Sequence, residues 1–382
     1  MRLNKVPAVI LAVLCLWLQV RAQNSIPVGS WRLHLSYHSI LAVEPAADKI
    51  FAASVGGVLA YDRITRTLTD YNKLSGLSST GITCIRYAPA QNLLLVGYAD
   101  GELDIIGAST VFSFDRLADA AVTASRKIND IAIHDNFAYL STAYGVVVFD
   151  LQKLEIKETW RDLGPAGSEL FIYASSFLGD SVYLATRNGV LAGNLHDNLL
   201  DFASWERFST GDLSGAVRCI TQFAEKMYIA GPSGVLHLAD TSWVKDPLLQ
   251  YTSITSLTAS DENLFVVTDS AVRAMDRMGE VVEIADPVIT SPVVVRQDQD
   301  GNLWIGDRRS GLLSNSGGHF SPFIPNGPSL PVAAKMSGYN GKLYAVSGGF
   351  IVSGEPPGLP DMIDIFDNGA WTSEAKGFSD IT

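Results

Sequence analysis

Histidine and cysteine are scarce in this sequence of 382 residues, and neither is spaced as a metal or catalytic site requires. The histidines are His34, His38, His134, His196, His237 and His319. They show no HxH or HExxH spacing of the kind that zinc sites use, and no glycine-rich phosphate loop is present. Asp298-x-Asp300-Gly301 begins like a calcium loop but lacks the later ligands and the closing glutamate. We therefore expect no metal, no cofactor and no catalytic cluster, and predict that the protein is not an enzyme.

Positive charge is also in short supply. Lys and Arg number 28 against 40 Asp and Glu, which gives a net charge of −12 at pH 7. Such a surface repels nucleic acid and anionic headgroups on average, so we expect no nucleic-acid partner. A local basic patch can still bind an anion, because net charge describes only the average surface.

Long apolar segments are absent except at the N-terminus. Arg2 and Lys5 precede an apolar run over residues 6–18, which is too short to span a bilayer comfortably. Small or modest side chains at Val20-Arg21-Ala22 then suit a signal peptidase. The pattern predicts a signal peptide over residues 1–22 and a protein in the periplasm or on the outer-membrane cell surface. Its removal takes away three cations and no acid, so the net charge becomes −15.

The sequence does contain a repeat. Short apolar strands on either side of a turn recur, and each turn ends in glycine or, once, alanine. The turn residues are Gly57, Gly101, Gly145, Gly189, Gly234, Ala271 and Gly311, with spacings of 44, 44, 44, 45, 37 and 40 residues. A large apolar residue precedes most of them by six positions, as Tyr139 and Phe265 do. We expect these rings to pack between neighbouring repeats.

The pattern of each repeat predicts four antiparallel strands. An earlier strand and a polar turn precede the glycine-containing hairpin, and a weaker strand follows it. No repeat shows the 3.6-residue periodicity of a helical solenoid. Radial packing of four-stranded units buries both of their faces, as in a β-propeller. We therefore predict an all-β fold, a β-propeller of four-stranded antiparallel blades with seven blades, or alternatively eight.

The two cysteines beyond residue 22 occupy equivalent strands of different repeats. Cys84 stands in an ITCI segment and Cys219 in a VRCI segment. An oxidising compartment permits a disulfide. We nevertheless predict two unbridged thiols that pack as small apolar groups.

A stretch rich in glycine and proline over residues 317–328 marks a domain boundary, and a partial eighth unit follows it. We expect a signal peptide over 1–22, an N-terminal β-propeller over 23–330, and the start of a second propeller or a closing blade over 331–382. Residues 29–34 resemble the outer strand at 368–372. This likeness suggests that the two chain ends share one blade and so close the ring.

Two segments carry a resemblance to known families. Asp298-Gln299-Asp300-Gly301-Asn302-Leu303-Trp304-Ile305-Gly306 resembles the propeller repeats of two-component-regulator sensors. The opening WRLHLSY, with IFAA and GVLAYD after it, is similar to the N-terminal propeller of the PorZ-like proteins, cell-surface components of the type IX secretion attachment complex of Bacteroidetes. This resemblance implies two seven-bladed propellers, a C-terminal β-sandwich and a role in handling anionic lipopolysaccharide. The sequence stops after the eighth unit and so looks truncated beside that pattern.

The function that follows is a non-enzymatic binding or scaffold propeller outside the cytoplasm. We predict a component of the type IX secretion attachment complex, with other secretion-complex proteins and anionic lipopolysaccharide as partners. The alternative is the periplasmic sensor propeller of a two-component regulator. The third hypothesis is a propeller hydrolase or lyase, which needs a convergent cluster of His and Asp at the channel mouth.

Turn residues supply the candidate site. In a propeller, the turn between the second and third strands opens on the same face as the blade-to-blade connections. The residues on these turns that suit a ligand or partner are Tyr144, Arg187, Asn188, Arg308 and Arg309. Arginine can pair bidentately with phosphate or carboxylate. Asp100 and Asp269 lie on turns of the same rim and reduce its positive charge.

Overall fold

The chain folds almost entirely as antiparallel β-sheet. The computed structural model describes residues 32–108, 110–115, 117, 125–346 and 362–375. Among these residues the strands form eight four-stranded sheets, in each of which neighbours along the chain are hydrogen-bonded neighbours. Short 3₁₀ turns lie at Lys73–Ser75, Pro165–Gly167, Phe202–Ser204 and Gly211–Leu213. The predicted all-β class and the four-stranded antiparallel blades are confirmed.

The first four sheets are called blades one to four. Blade one contains β1 (Ala42–Pro45), β2 (Lys49–Ala53), β3 (Val58–Asp62) and β4 (Thr67–Tyr71). Blade two contains β5 (Ile82–Ala88), β6 (Leu93–Tyr98), β7 (Leu103–Ile106) and β8 (Val111–Phe114). Blade three contains β9 (Ile128–His134), β10 (Phe137–Thr142), β11 (Gly145–Asp150) and β12 (Glu155–Arg161). Blade four contains β13 (Ile172–Leu178), β14 (Ser181–Thr186), β15 (Gly189–Asn194) and β16 (Glu206–Phe208).

The next three sheets are blades five to seven, and the last is called the eighth sheet. Blade five contains β17 (Cys219–Phe223), β18 (Lys226–Gly231), β19 (Gly234–Ala239) and β20 (Ser242–Lys245). Blade six contains β21 (Ile254–Ala259), β22 (Asn263–Thr268), β23 (Val272–Asp276) and β24 (Val281–Ile284). Blade seven contains β25 (Pro292–Gln297), β26 (Leu303–Asp307), β27 (Gly311–Ser314) and β28 (Ser321–Phe323). The eighth sheet contains β29 (Lys335–Tyr339), β30 (Lys342–Val346), β31 (Met362–Asp367) and β32 (Ala370–Ala375).

Two of the repeated glycines mark a close approach between the third strand of a blade and its outer strand. Gly145 and Gly189 begin the third strands of blades three and four, with φ of +140° and +82°. A Cβ atom on either would lie 2.0 Å from the carbonyl oxygen of Trp160 or Phe208 in the outer strand of the same blade. Only glycine tolerates both the backbone conformation and the proximity. In blades three and four the repeated glycine therefore lies where the third strand begins against the outer strand.

Apolar clusters between blades hold the ring together. Each of the seven clusters joins two neighbouring blades. The rings that precede the turn glycine lie in them: Tyr139 packs between blades three and four, Phe265 between six and seven, and Trp304 between seven and one. Burial of such a side chain contributes about 1.5–3 kcal/mol. The aromatic column is thus part of the core.

Blade seven packs directly on blade one, so the ring contains seven blades. Strand β25 contacts β1 in the same way as the other consecutive first strands contact one another. Arg63 of blade one pairs with Asp298 of blade seven at 3.2 Å, and the Ile40 amide donates to the Asp307 carbonyl at 3.0 Å. The total of eight sheets in the described residues equals the number in the eight-bladed alternative. The eighth sheet, however, does not take part in ring closure.

The eighth sheet contacts the segments on either side of the ring. Trp371 donates its indole N–H to Nδ1 of His34 at 3.0 Å, and the His34 ring lies edge-on to Phe366 at 4.9 Å between centroids. Ser329 donates its hydroxyl to Asp364 at 2.7 Å. Every residue of β29 is exposed, in contrast to the first strands of the ring, which are enclosed by neighbouring blades.

The expectation that the chain ends share one blade is wrong. Residues 32–36 lie in no strand, and Trp31 is outside the described residues, as is the predicted signal peptide. The outer position of blade seven is already occupied by β28 from its own repeat, so no strand is missing there. Tyr37 instead packs in the cluster between blades seven and one. Within the described residues, no helix has the length and apolar character needed to cross a membrane.

Candidate binding face and central channel

The ring encloses a central channel of about 520 Å³. The first strands of all seven blades line it, because the inner edge of each blade faces the ring axis. Its charged lining residues are Glu44, Arg86, Asp130, Arg218 and Arg296, and His134 lines it as well. These side chains come from blades one, two, three, five and seven, so no local sequence motif contains them.

Four of these charged residues form a chain of ion pairs along the channel wall. Arg296 pairs with Glu44 at 2.8 Å, Glu44 with Arg86 at 3.1 Å, and Arg86 with Asp130 at 3.5 Å. The chain crosses from blade seven through blades one and two to blade three. Each charge therefore has an opposite charge beside it, and the interaction reinforces the closure of the ring.

Burial and neighbouring charges shift the pKa values of Asp130, Arg86 and Arg296. Burial raises the pKa of Asp130, and the neighbouring guanidinium of Arg86 opposes this effect. Burial likewise lowers the pKa of Arg296, with Glu44 opposing. For Arg86, burial lowers the pKa but the carboxylates of Glu44 and Asp130 outweigh it, so that its pKa is raised. The arginines remain charged under all physiological conditions.

Side chains on the first strands also donate to carbonyl groups of the next blade. Thr83 donates to Ile128 O at 2.6 Å, and Asn129 donates to Ile172 O at 2.7 Å. Thr258 donates to Val295 O at 2.6 Å. These bonds satisfy polar groups on the inner edges of the blades and fix each blade against its neighbour. The polar channel wall is therefore largely occupied by structural interactions.

Cys84 and Cys219 both line the channel, on the first strands of blades two and five. Cys84 is buried and Cys219 is half-buried, and neither is bonded to the other. Burial raises the pKa of each thiol to about 12. Within the residues that the structure describes, no three His, Cys, Asp or Glu side chains are placed to hold one metal ion.

Tyr144 does not lie on the face where its turn position placed it. The residue is 1% exposed and packs in the cluster between blades two and three. Its hydroxyl donates to Leu117 O at 3.5 Å. The ring turns inward because an apolar space between two blades accommodates it. Tyr144 therefore contributes to the core and cannot offer an aromatic surface to a ligand.

Arg187, Asn188, Arg308 and Arg309 are all exposed on the turns between second and third strands. We call the face formed by these turns and by the segments that lead into the first strands the connection face. Buried Asp307 accepts the amides of Arg309 and Ser310 at 2.8 and 2.9 Å and so holds the turn in blade seven. Arg187 is in blade four, with blades five and six between the two turns. The four exposed residues of the predicted site therefore lie in two separate places on the connection face, one in blade four and one in blade seven.

Beside Arg187, the structure brings together residues that the sequence reasoning missed. The Arg187 guanidinium lies over the Phe171 ring at 5.2 Å, and Phe171 contacts Tyr173 at 4.6 Å between centroids. Arg218 of blade five lies over the other end of this pair, 5.1 Å from the Tyr173 centroid. We call Arg187, Phe171, Tyr173 and Arg218 the arginine–aromatic ladder. Phe171 and Arg218 stand just before a first strand and Tyr173 lies near the start of one. This position was the signal that could have found them, since those segments share the connection face.

Comparison with known proteins supports the resemblance drawn from the sequence. The family model described as the N-terminal β-propeller domain of PorZ, of the type IX secretion system, matches residues 50–206. This range covers most of blade one and reaches the outer strand of blade four. No curated protein sequence matches the chain. The chain thus contains a PorZ-like propeller over these blades.

Two solved structures share the fold. One is PorZ of Porphyromonas gingivalis, described as an essential bacterial surface component of the type IX secretion system, with a TM-score of 0.75 and 22% identity over 91% of this chain. The other is the extracellular domain described as that of a hybrid two-component system from B. thetaiotaomicron, with a TM-score of 0.60 and 17% identity over 90% of this chain. The chain spans 46% of the first protein and 48% of the second.

Proposed function

We propose that this PorZ-like propeller is a non-enzymatic binding scaffold that works outside the cytoplasm, as part of a type IX secretion attachment complex that handles anionic lipopolysaccharide. The observation that carries the proposal is the match of residues 50–206 to the PorZ propeller model. The similarity in fold to PorZ over 91% of the chain supports it.

The channel favours binding over catalysis. Enzymatic propellers need free acids, bases or metal ligands that converge at the channel mouth. In this ring, Glu44, Arg86 and Arg296 are engaged with one another, and Thr83 and Asn129 bond to backbone carbonyls. These five channel side chains are therefore used to join blades.

The eighth sheet fits the proposal that residues 331–382 begin a second propeller and that residues 23–330 form the first. All residues of β29 are exposed, including Met336 and Tyr339 at 62% and 68%. A first strand in a propeller is covered by the neighbouring blades, as β1 and β25 are here. The exposed apolar side chains of β29 would be covered in the same way by further blades.

A sensor function is the second candidate. Its supporting observation is the fold shared with the extracellular domain of the two-component system from B. thetaiotaomicron. A sensor propeller outside the cytoplasm would bind its signal on the same kind of face. The β-propeller fold is compatible with both functions. The phenotype of a host in which the gene is disrupted distinguishes them.

The deciding experiment disrupts the gene in its own host. If the proposal holds, exported cargo is released into the medium instead of remaining attached to the cell surface, and complementation with the full gene restores attachment. Affinity purification of the full-length protein from the complemented strain should recover other secretion-complex proteins. Unchanged cargo attachment with an altered transcriptional profile would instead support the sensor function.

A further inference from the structure

We propose that the arginine–aromatic ladder of Arg187, Phe171, Tyr173 and Arg218 is a binding site for an acidic saccharide. This inference rests on the proposed function and gives it a location. The ladder lies on the connection face, at the junction of blades four and five, and follows from side-chain contacts that the sequence alone does not show.

The four side chains form a continuous surface from a groove to the channel mouth. Phe171 and Arg187 line a groove of about 480 Å³ beside blade four. Tyr173 and Arg218 line the central channel. Successive contacts of 5.2, 4.6 and 5.1 Å join the four groups, with an arginine at each end and two half-buried aromatic rings between them.

The backbone beneath the ladder is held in place. The Arg187 amide donates to Phe171 O at 3.0 Å, and the Arg218 amide donates to Ala230 O at 3.1 Å. The Val217 amide donates to Thr186 O at 2.9 Å and so joins the two blades next to both arginines. Because these segments are fixed before a ligand arrives, little ordering is required on binding.

The two arginines carry positive charge that no acidic side chain in the described part of the chain neutralises. The channel arginines Arg296 and Arg86 pair with Glu44, and Arg273 pairs with Glu283 at 2.7 Å. One carboxylate, Glu169, lines the groove, and it lies 3.8 Å from Arg161. Arg187 and Arg218 contact aromatic rings instead, which leaves their guanidinium N–H groups available for an anion.

This combination matches the chemistry of an acidic sugar chain. The C–H faces of sugar rings pack against aromatic rings, and Phe171 and Tyr173 present two adjacent ones. Guanidinium groups bind carboxylate or phosphate bidentately. An arginine at each end of the aromatic pair suits a chain with at least two acidic groups rather than a single small anion.

The test compares the full chain with three variants: Arg187→Ala/Arg218→Ala, Tyr173→Ala, and Arg308→Ala/Arg309→Ala. The last is the matched control, because it removes two exposed arginines from the same face but outside the ladder. Binding is measured by calorimetry to oligogalacturonate, to phosphorylated lipopolysaccharide and to uncharged dextran. The first two probes distinguish carboxylate from phosphate as the recognised group. Melting temperatures establish that each variant folds.

We expect the full chain and the control to bind at least one acidic probe and not dextran. The double ladder variant should bind at least about tenfold more weakly, and Tyr173→Ala about 3- to 10-fold more weakly. Binding by the double variant within twofold of the full chain would overturn the ladder while leaving the proposed function standing. Absence of binding to both acidic probes by the full chain would overturn the ladder and the lipopolysaccharide role together. Binding through the ladder without any cargo defect in the disrupted host would overturn only the secretion role.

Discussion

Trp304 donates its indole N–H to the carboxylate of Asp298 at 2.9 Å, inside the blade that closes the ring. Asp298 also accepts the amides of Asp300 and Asn302 and a hydrogen bond from Arg63 of blade one. The segment that begins like a calcium loop therefore has a structural use. Its first aspartate orders the hairpin, positions a core tryptophan and binds the neighbouring blade.

Asp298→Ala should destabilise the protein by about 3–5 kcal/mol, because it leaves the buried indole and the half-buried Arg63 without their shared, fully buried acceptor. Asp300→Ala is the matched control. The Asp300 side chain is 64% exposed, although it too pairs with Arg63, so its loss should cost less than about 1 kcal/mol. Denaturant unfolding of both variants measures the difference. Equal losses of stability would show that Asp298 does not hold the closure.

Gly145→Ala should cost at least about 2 kcal/mol, since the new Cβ would meet the Trp160 carbonyl oxygen in addition to adopting an unfavourable φ. Gly179→Ala provides the comparison, because Gly179 has φ of +56° but no atom within 4 Å of an added Cβ. Its cost should be about 1–2 kcal/mol. Thermal unfolding of the two variants tests whether close approach, and not φ alone, explains the repeated glycine. A smaller loss at Gly145 would contradict this explanation.

The thiols of Cys84 and Cys219 should be free and slow to react. Because burial raises the pKa of both to about 12, only a minute fraction is thiolate at pH 8. Thiol titration of the mature protein in denaturant should give two thiols with or without reductant. In the folded protein both should react far more slowly, and half-buried Cys219 sooner than Cys84. A count of zero before reduction would establish a disulfide.

Asp130 should make stability depend on pH in the acidic range. Its pKa is raised in the folded state, so the folded protein binds this proton more tightly than the unfolded chain does. Its contribution therefore becomes less favourable as the pH rises from the ordinary Asp value of about 3.9 through the raised folded value. In Asp130→Asn this component is absent. Melting temperatures of the two proteins across the acidic range should diverge accordingly, and parallel curves would contradict the shift.

The sequence predicted the architecture because the features that specify it are local and repeat. Gly145 and Gly189 each begin a third strand against the carbonyl oxygen of an outer strand, and glycine recurs near this position at intervals close to the length of one blade. The aromatic column recurs for the same reason, since each blade presents the same face to the next. The predicted seven blades follow from counting these repeats.

The candidate site was predicted only in part. Topology placed Arg187, Asn188, Arg308 and Arg309 on one face, because strand direction alternates regularly within a blade. It did not show that Tyr144 turns into the core, since that depends on the space left between blades two and three. Nor did it indicate Phe171, Tyr173 and Arg218, since Arg218 contacts Tyr173 only across the junction of blades four and five.

The sequence by itself determined the repeat, the four-strand blade and the charge of the chain, each of which depends on neighbouring residues or on composition. Only the tertiary structure decided where the ring closes and which arginines remain unpaired. Glu44 and Arg296 are 252 positions apart along the chain, yet their side chains lie 2.8 Å from one another. Such a contact depends on the accumulated rotation of seven packed blades, and no local pattern encodes that rotation. The packing of blade five on blade four likewise places Arg218 over Tyr173.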